Sequence, residues 1–141
     1  MKKLIILCFI LITISACSND DDNGSQNNCD FGAIISLEQY SNAPSDELIV
    51  NSLQIENDCL KINFSSGGYD GSTWEVKLID SEDIFESSPP QRNVRLSLKN
   101  EESCEAFITK ELTFSISNLQ VDGNQVRLNI TNSNESILYD Y

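Results

Sequence analysis

Beyond residue 28 apolar and polar side chains alternate along the chain, and the repeat is two residues rather than 3.6. Successive side chains on a strand point to opposite faces, so this alternation predicts half-buried strands. Ala33 to Leu37 is a short apolar run, and the polar stretch Gln39 to Glu47, with Pro44, reads as a loop. Leu48 to Glu56 and Cys59 to Phe64 read as strands separated by Asn57-Asp58. A two-residue turn there sets Ile55 opposite Leu60 and Leu53 opposite Ile62. The apolar faces match, which predicts a hairpin in that register. Cys59 then falls across from Glu56 on the other face, toward solvent or an edge. Ser65 to Ser72 reads as a loop, and Trp74, Val76 and Leu78 as the buried face of a strand. Asp80 to Asn93 is long, acidic and carries Pro89-Pro90, so it reads as a second loop. Val94, Leu96 and Leu98 alternate again. Between Phe107 and Val121, Leu112, Phe114 and Ile116 share one phase while Leu119 and Val121 have the other, which predicts a bulge near Ser117-Asn118. A turn centred on Gly123-Asn124 would set Val121 against Val126 and Leu119 against Leu128, and Ile137 to Tyr141 reads as a last strand.

Seven to nine short strands with turns between them and no convincing helix predict an all-β domain over residues 29–141. The expected architecture is an antiparallel β-sandwich, immunoglobulin-like in general form, with a small closed barrel as the alternative. Trp74 is the expected central core aromatic.

The first residues follow a different pattern. Met1-Lys2-Lys3 is a basic head, Leu4 to Ile14 is an apolar run of eleven residues, and Ser15-Ala16 are small. That is the layout of a secretory signal peptide, residues 1–16, and the run is shorter than the roughly 20 residues a bilayer-spanning helix needs. Ile14-Ser15-Ala16-Cys17 resembles the lipobox of bacterial lipoproteins. The resemblance implies that Cys17 carries a diacylglycerol thioether, becomes the mature N-terminus and is acylated on its amine. Two or more acyl chains give stable anchoring where one does not. Ser18-Asn19-Asp20-Asp21-Asp22-Asn23-Gly24 resembles the acidic tether that follows the lipid cysteine in Bacteroidota lipoproteins. That implies residues 17–28 as a flexible tether and an outer-membrane location, with exposure at the cell surface where such a run acts as an export signal. Asn19, Asp21, Asn23, Gly24 and Asp30 also fall at positions 1, 3, 5, 6 and 12 of an EF-hand loop. That motif wants Asp first and a bidentate Glu last, with flanking helices, so the tether is the preferred reading.

Charge changes the picture next. With Lys2 and Lys3 removed, seven basic side chains stand against 22 acidic ones, a formal charge of −15. Such a surface disfavours nucleic acid and suits a basic partner or a divalent cation. Three cysteines remain besides Cys17, because Cys8 leaves with the signal: Cys29, Cys59 and Cys104. An oxidising export route permits one disulfide. Cys59–Cys104 would close a loop of about 45 residues, worth about 4 kcal/mol in the chain-entropy model, and Cys29–Cys59 is the rival pairing. No metal site is expected, since zinc needs four ligands and the chain has no histidine and no CxxC.

The missing histidine also excludes Ser-His-Asp and Cys-His catalysis. Gly67-Gly68-Tyr69-Asp70-Gly71 is glycine-rich, but no basic residue or helix follows to cradle a phosphate. Asp80, Glu82, Asp83 and Glu86 form an acidic cluster with calcium as a conceivable ligand and otherwise no cofactor. Tyr69 and Asp70 in the first loop and those four acids in the second are the expected binding-loop residues, with Tyr40, Phe85, Tyr139 and Tyr141 as further exposed aromatics. No catalytic residue is assigned. The expected function is a non-enzymatic module binding an envelope protein or a glycan. The alternatives are an acidic inhibitor or protector against a basic hydrolase such as lysozyme, and a hydrolase using paired carboxylates.

Overall fold

The computed structural model describes residues 28–141. The expected signal peptide, Cys17, the expected tether up to residue 27 and the EF-hand-like positions before Asp30 lie outside the described residues. The described chain runs β1 (Phe31–Gly32), β2 (Ile34–Ile35), α1 (Leu37–Asn42), β3 (Ile49–Glu56), β4 (Cys59–Gly68), β5 (Glu75–Phe85), β6 (Gln91–Lys99), β7 (Ala106–Ser115), a 3-10 turn (Ser117–Leu119), β8 (Gln125–Ile130) and β9 (Glu135–Asp140).

The strands form two sheets, ordered β1-β7-β4-β3 and β2-β5-β6-β8-β9. They pack face to face and neither closes into a barrel, so the sandwich is the architecture adopted. Leu60, Ile62, Phe64 and Phe114 from the first sheet meet Leu78, Val94, Leu96, Leu128 and Tyr139 from the second in one core. The sheets are mixed rather than antiparallel throughout, because β1–β7, β2–β5 and β6–β8 pair parallel. Residues 31–35 cause two of these pairings. The chain joins one sheet at Phe31, turns inward at buried Ala33, and joins the other at Ile34, closing one side of the sandwich.

The β3–β4 hairpin has the register read from the sequence, with Ile55 opposite Leu60, Leu53 opposite Ile62 and Glu56 opposite Cys59. Its turn residues Asn57 and Asp58 have φ of 47° and 63°, a left-handed conformation that Asn and Asp tolerate better than other non-glycine residues. Cys59 bridges to Cys29, with Cα atoms 5.7 Å apart, and Cys104 is free and exposed. Cys59–Cys104 is excluded by the ladder between β4 and β7. Cys59 lies opposite Ser115, whereas Cys104 precedes Ala106, which lies opposite Gly68. Strand rise over that interval is roughly 30 Å, and a disulfide needs Cα atoms within about 7 Å.

Five other expectations of strands, loops and turns are corrected. Ser65 to Gly68 continues β4 instead of looping, since Ser65 bonds Thr109 Oγ1 and Ser66 donates to the Glu47 carbonyl, which satisfies both buried hydroxyls. Asp80 to Phe85 continues β5, leaving a connection at 86–90 with a cis Ser88-Pro89 bond. The stretch read as a loop after Leu37 contains α1, capped by Ser36 Oγ accepting from Gln39 N–H at 3.2 Å. Arg95 donates to the carbonyls of Gln39 and Ala43 and holds this helix on the second sheet. Finally, the phase change after Ile116 is the 3-10 turn and not a bulge, and β8 pairs with β6 and β9 rather than folding back on Leu119 and Val121.

Candidate functional site

The strand directions define two ends of the sandwich. One, called upper here, carries Gly68, Trp74, Lys99 and Ala106, and the lower end carries Cys59, Phe85, Gln91 and Ser115.

At the upper end the glycine-rich loop is a packing device. A Cβ at Gly68 would meet Glu102 Oε2 at 2.7 Å and Trp74 Cζ2 at 3.1 Å. Gly71 has φ of +68°, and a Cβ there would meet Lys110 Cε at 2.6 Å. Lys110 donates to the Gly71 carbonyl and sits 5.4 Å from the Trp74 ring centroid. Trp74 is buried at this end against Phe64, with ring centroids 6.1 Å apart, so it plugs the core instead of standing at its centre.

Glu102 latches this loop. Its Oε2 accepts from the backbone N–H of Tyr69 at 2.6 Å, Asp70 at 3.2 Å and Gly71 at 3.0 Å, and its Oε1 accepts from the N–H and hydroxyl of Thr73. Successive backbone donors of this kind form an anion-binding concavity, and here the chain's own carboxylate fills it. Desolvation pushes the Glu102 carboxyl up, but the donors of Gly71, Thr73 and Tyr69 together outweigh it and hold it down at about 2. The folded value is depressed, so the latch contributes stability above the ordinary carboxylate range that is lost only as pH falls toward about 2. Glu102→Ala is therefore expected to speed hydrogen exchange at the amides of Tyr69, Asp70, Gly71 and Thr73 by tenfold or more, read by NMR, with β8 and β9 unchanged.

Beside the latch the outer face of the first sheet carries a cleft of about 350 Å³. Its floor is Ser65, Ser66 and Gly67, one wall is Leu48 and Ile49, and the other is Phe107 with the chain from Asn100 to Cys104. Register explains the shape. Phe107 lies opposite Gly67, which has no side chain to cover the ring, and Phe107 is 67% exposed. Ile49, opposite Ser65, is 51% exposed on the far wall. The hydroxyls and amides next to the floor are already bonded to one another: Asn51 donates to Asn63 and Ser65, and Ser65 bonds Thr109 at 2.7 Å. The charged residues lining the cleft are Asp46, Glu47 and Glu102, all acidic. The arrangement offers apolar contact and negative charge.

The expected binding residues do not form one surface. Tyr69 and Asp70 lie in the upper loop, where Tyr69 is 75% exposed and Asp70 accepts from Ser72 N–H at 2.8 Å. Asp80, Glu82, Asp83 and Glu86 lie along the lower half of β5 and just beyond it. Asp80 is a correction: it is fully buried, and its Oδ1 accepts from Arg92 Nη1 at 2.9 Å and from Glu82 N–H at 2.8 Å. Burial pushes its carboxyl up, opposed by the Glu82 N–H and by Arg92. Glu82 caps α1 by accepting from Leu37 N–H at 3.0 Å, while Asp83 and Glu86 are exposed. No three metal-ligating side chains gather among the described residues. Tyr139 is also corrected, since it is buried and donates to Asp58 Oδ1 at 2.6 Å.

Phe107, Ile49 and Glu102 were missed, although Phe107 carried a signal. It shares its phase with Thr109 and Glu111, opposite to Leu112, Phe114 and Ile116, so an aromatic stands on the polar face of its strand.

An all-β sandwich with an acidic, partly apolar cleft at one end is the class of protein that fold and site define. No known protein family matches the chain, and no curated protein matches it. Among solved structures it is similar to a protein described as toxin-related from Parabacteroides distasonis, at 15% identity and TM-score 0.53. It is also similar to a protein of unknown function, DUF1344, from Bacteroides vulgatus, at 15% identity and TM-score 0.52. Each likeness covers 79% of this chain, and the chain spans 60% and 56% of those two proteins. At that identity the likeness shows the fold alone.

Proposed function

We propose that the protein is a non-enzymatic binding module of the cell envelope, held at the outer membrane by lipid on Cys17 and an acidic tether, with a protein or glycan ligand at the upper cleft. The carrying observation is the pair of apolar side chains, Phe107 and Ile49, left exposed on opposite walls of one cleft on an otherwise polar sheet face. Aromatic side chains in such positions anchor interfaces, because covering them removes a large apolar area from water. The acidic inhibitor or protector is the second reading, favoured by the three carboxylates around the cleft. A carboxylate hydrolase falls behind both, since Asp70 stands at one end of the sandwich and Asp83 and Glu86 at the other, with Asp80 committed to Arg92.

Cross-linking in intact cells, with purification through a C-terminal tag, tests this reading. One dominant partner is expected, and Phe107→Ala is expected to reduce its yield at least fivefold, as loss of an interface anchor worth 1 kcal/mol or more does. An unchanged yield would move the binding surface away from the cleft.

A further inference from the structure

We propose that the upper cleft receives a lysine or arginine side chain from a basic partner protein, its alkyl stem along Phe107 and its charged head toward Glu47. This rests on the reading of the cleft as the binding site. Each charged lining residue is a carboxylate, and Lys99 and Lys110, the lysines whose contacts lie beside the cleft, are engaged elsewhere. Lys99 bonds Glu75 at 3.0 Å and lies 3.8 Å from Glu101, and Lys110 points to Gly71 and Trp74. Two of the carboxylates are fixed in place: Asp46 Oδ2 accepts from Asn100 N–H at 2.6 Å, and Glu102 is held by the loop. Glu47 is exposed at the opening and supplies the adaptable charge.

The apolar wall narrows the ligand further. Lys and Arg carry an apolar stem and a charged head, which matches a cleft with Phe107 and Ile49 on its walls and acids around it. An exposed ring also attracts a cation electrostatically. A neutral sugar gains no charge attraction from these carboxylates, and the hydroxyls of Ser65 and Thr109 at the floor already bond one another.

The test uses the full chain in detergent and three probes measured by calorimetry: an acetylated (Lys-Gly) octapeptide, its norleucine counterpart, and a chito-oligosaccharide. The lysine peptide is expected to bind and to weaken as salt rises, and the norleucine peptide is not. Glu47→Gln and Phe107→Ala are each expected to weaken binding about fivefold, the scale of one exposed cation contact. Asp140→Asn removes the same charge at the lower end and is expected to change nothing. Equal weakening by Asp140→Asn would show a net-charge effect and overturn the proposal, as would no binding of the lysine peptide. Binding of the chito-oligosaccharide alone, lost in Phe107→Ala, would overturn the cation and leave the binding-module reading standing.

Discussion

Asp80→Ala is expected to cost about 3–5 kcal/mol of stability, because it leaves the Arg92 guanidinium buried without its counter-ion. Asp80 is fully buried, Arg92 is 6% exposed, and they pair at 2.9 Å between the sheets near the lower end of the core. Arginine stays charged at any accessible pH, so it has no cheap escape. Arg92→Ala is expected to cost less, since the orphaned Asp80 can take up a proton. The sign follows from Asp80 itself. Burial already raises its carboxyl above the ordinary value, against the Glu82 N–H and Arg92. A raised folded value means the folded state binds more protons, so this group favours folding more as pH falls and loses that contribution as pH rises through the folded value. Removing Arg92 takes away a lowering influence and raises it further. Urea unfolding should therefore show the Arg92→Ala deficit shrinking from about pH 7 to about pH 5, while the Asp80→Ala deficit does not shrink. The double change Asp80→Leu with Arg92→Met should be neutral or stabilising, because Asp80 Oδ2 and Arg92 Nε have no hydrogen-bond partner among the described residues. A larger, pH-independent loss in Arg92→Ala than in Asp80→Ala would contradict this account.

The same pair shows where hydropathy misleads. Asp80, Ser81, Glu82 and Asp83 look like a solvated acidic loop, yet they continue β5. An inward charge becomes readable as strand only once its partner, Arg92 on β6, is known to lie beside it. The serines of β4 pose the same problem, since their hydroxyls are satisfied by Thr109 and the Glu47 carbonyl, both far along the chain. By contrast, the β3–β4 register was legible because the pairing is local and the turn is two residues, so matching apolar faces leaves one solution. The expected fold-back about Gly123-Asn124 used equally good matching and was wrong, because β6 offered a competing parallel partner for β8. Sequence pattern names the buried face of a strand more dependably than its neighbour. Val126, Leu128 and Ile130 are indeed fully buried.

Of the candidate site, Tyr69 and Asp70 were visible through their glycine-rich loop, but what they border was not. The cleft depends on Gly67 standing opposite Phe107, a pairing across 40 residues of chain. Glu102 gave no signal, since a single Glu in a polar turn looks like solvent-facing charge until the N–H groups of residues 69–73 converge on it. The site is therefore a product of tertiary register, and its sequence traces are a phase-breaking Phe107 and a run of acids.

Removing the disulfide should have the second large effect. Changing both Cys29 and Cys59 to serine is expected to destabilise the domain by about 3.5 kcal/mol, the chain-entropy value for a closed loop of about 30 residues. Local structure argues for a loss of that order. β1 has only two residues, and beyond its pairing with β7 the N-terminal segment is held by Asp30, which accepts from Thr113 N–H and Oγ1 at 2.8 Å each. Phe31 packs on buried Phe114 with ring centroids 5.8 Å apart, so a loosened segment uncovers the core at the side that residues 31–35 close. Cys104→Ser, at an exposed position away from the core, should change stability by less than about 0.5 kcal/mol. Urea unfolding of the two variants, with and without reductant, separates the cases. Reductant should lower the stability of the Cys104→Ser variant to that of the double variant and leave the double variant unchanged. If instead Cys104→Ser were as costly as the double change and insensitive to reductant, the bridge would include Cys104 and the Cys29–Cys59 pairing would be overturned.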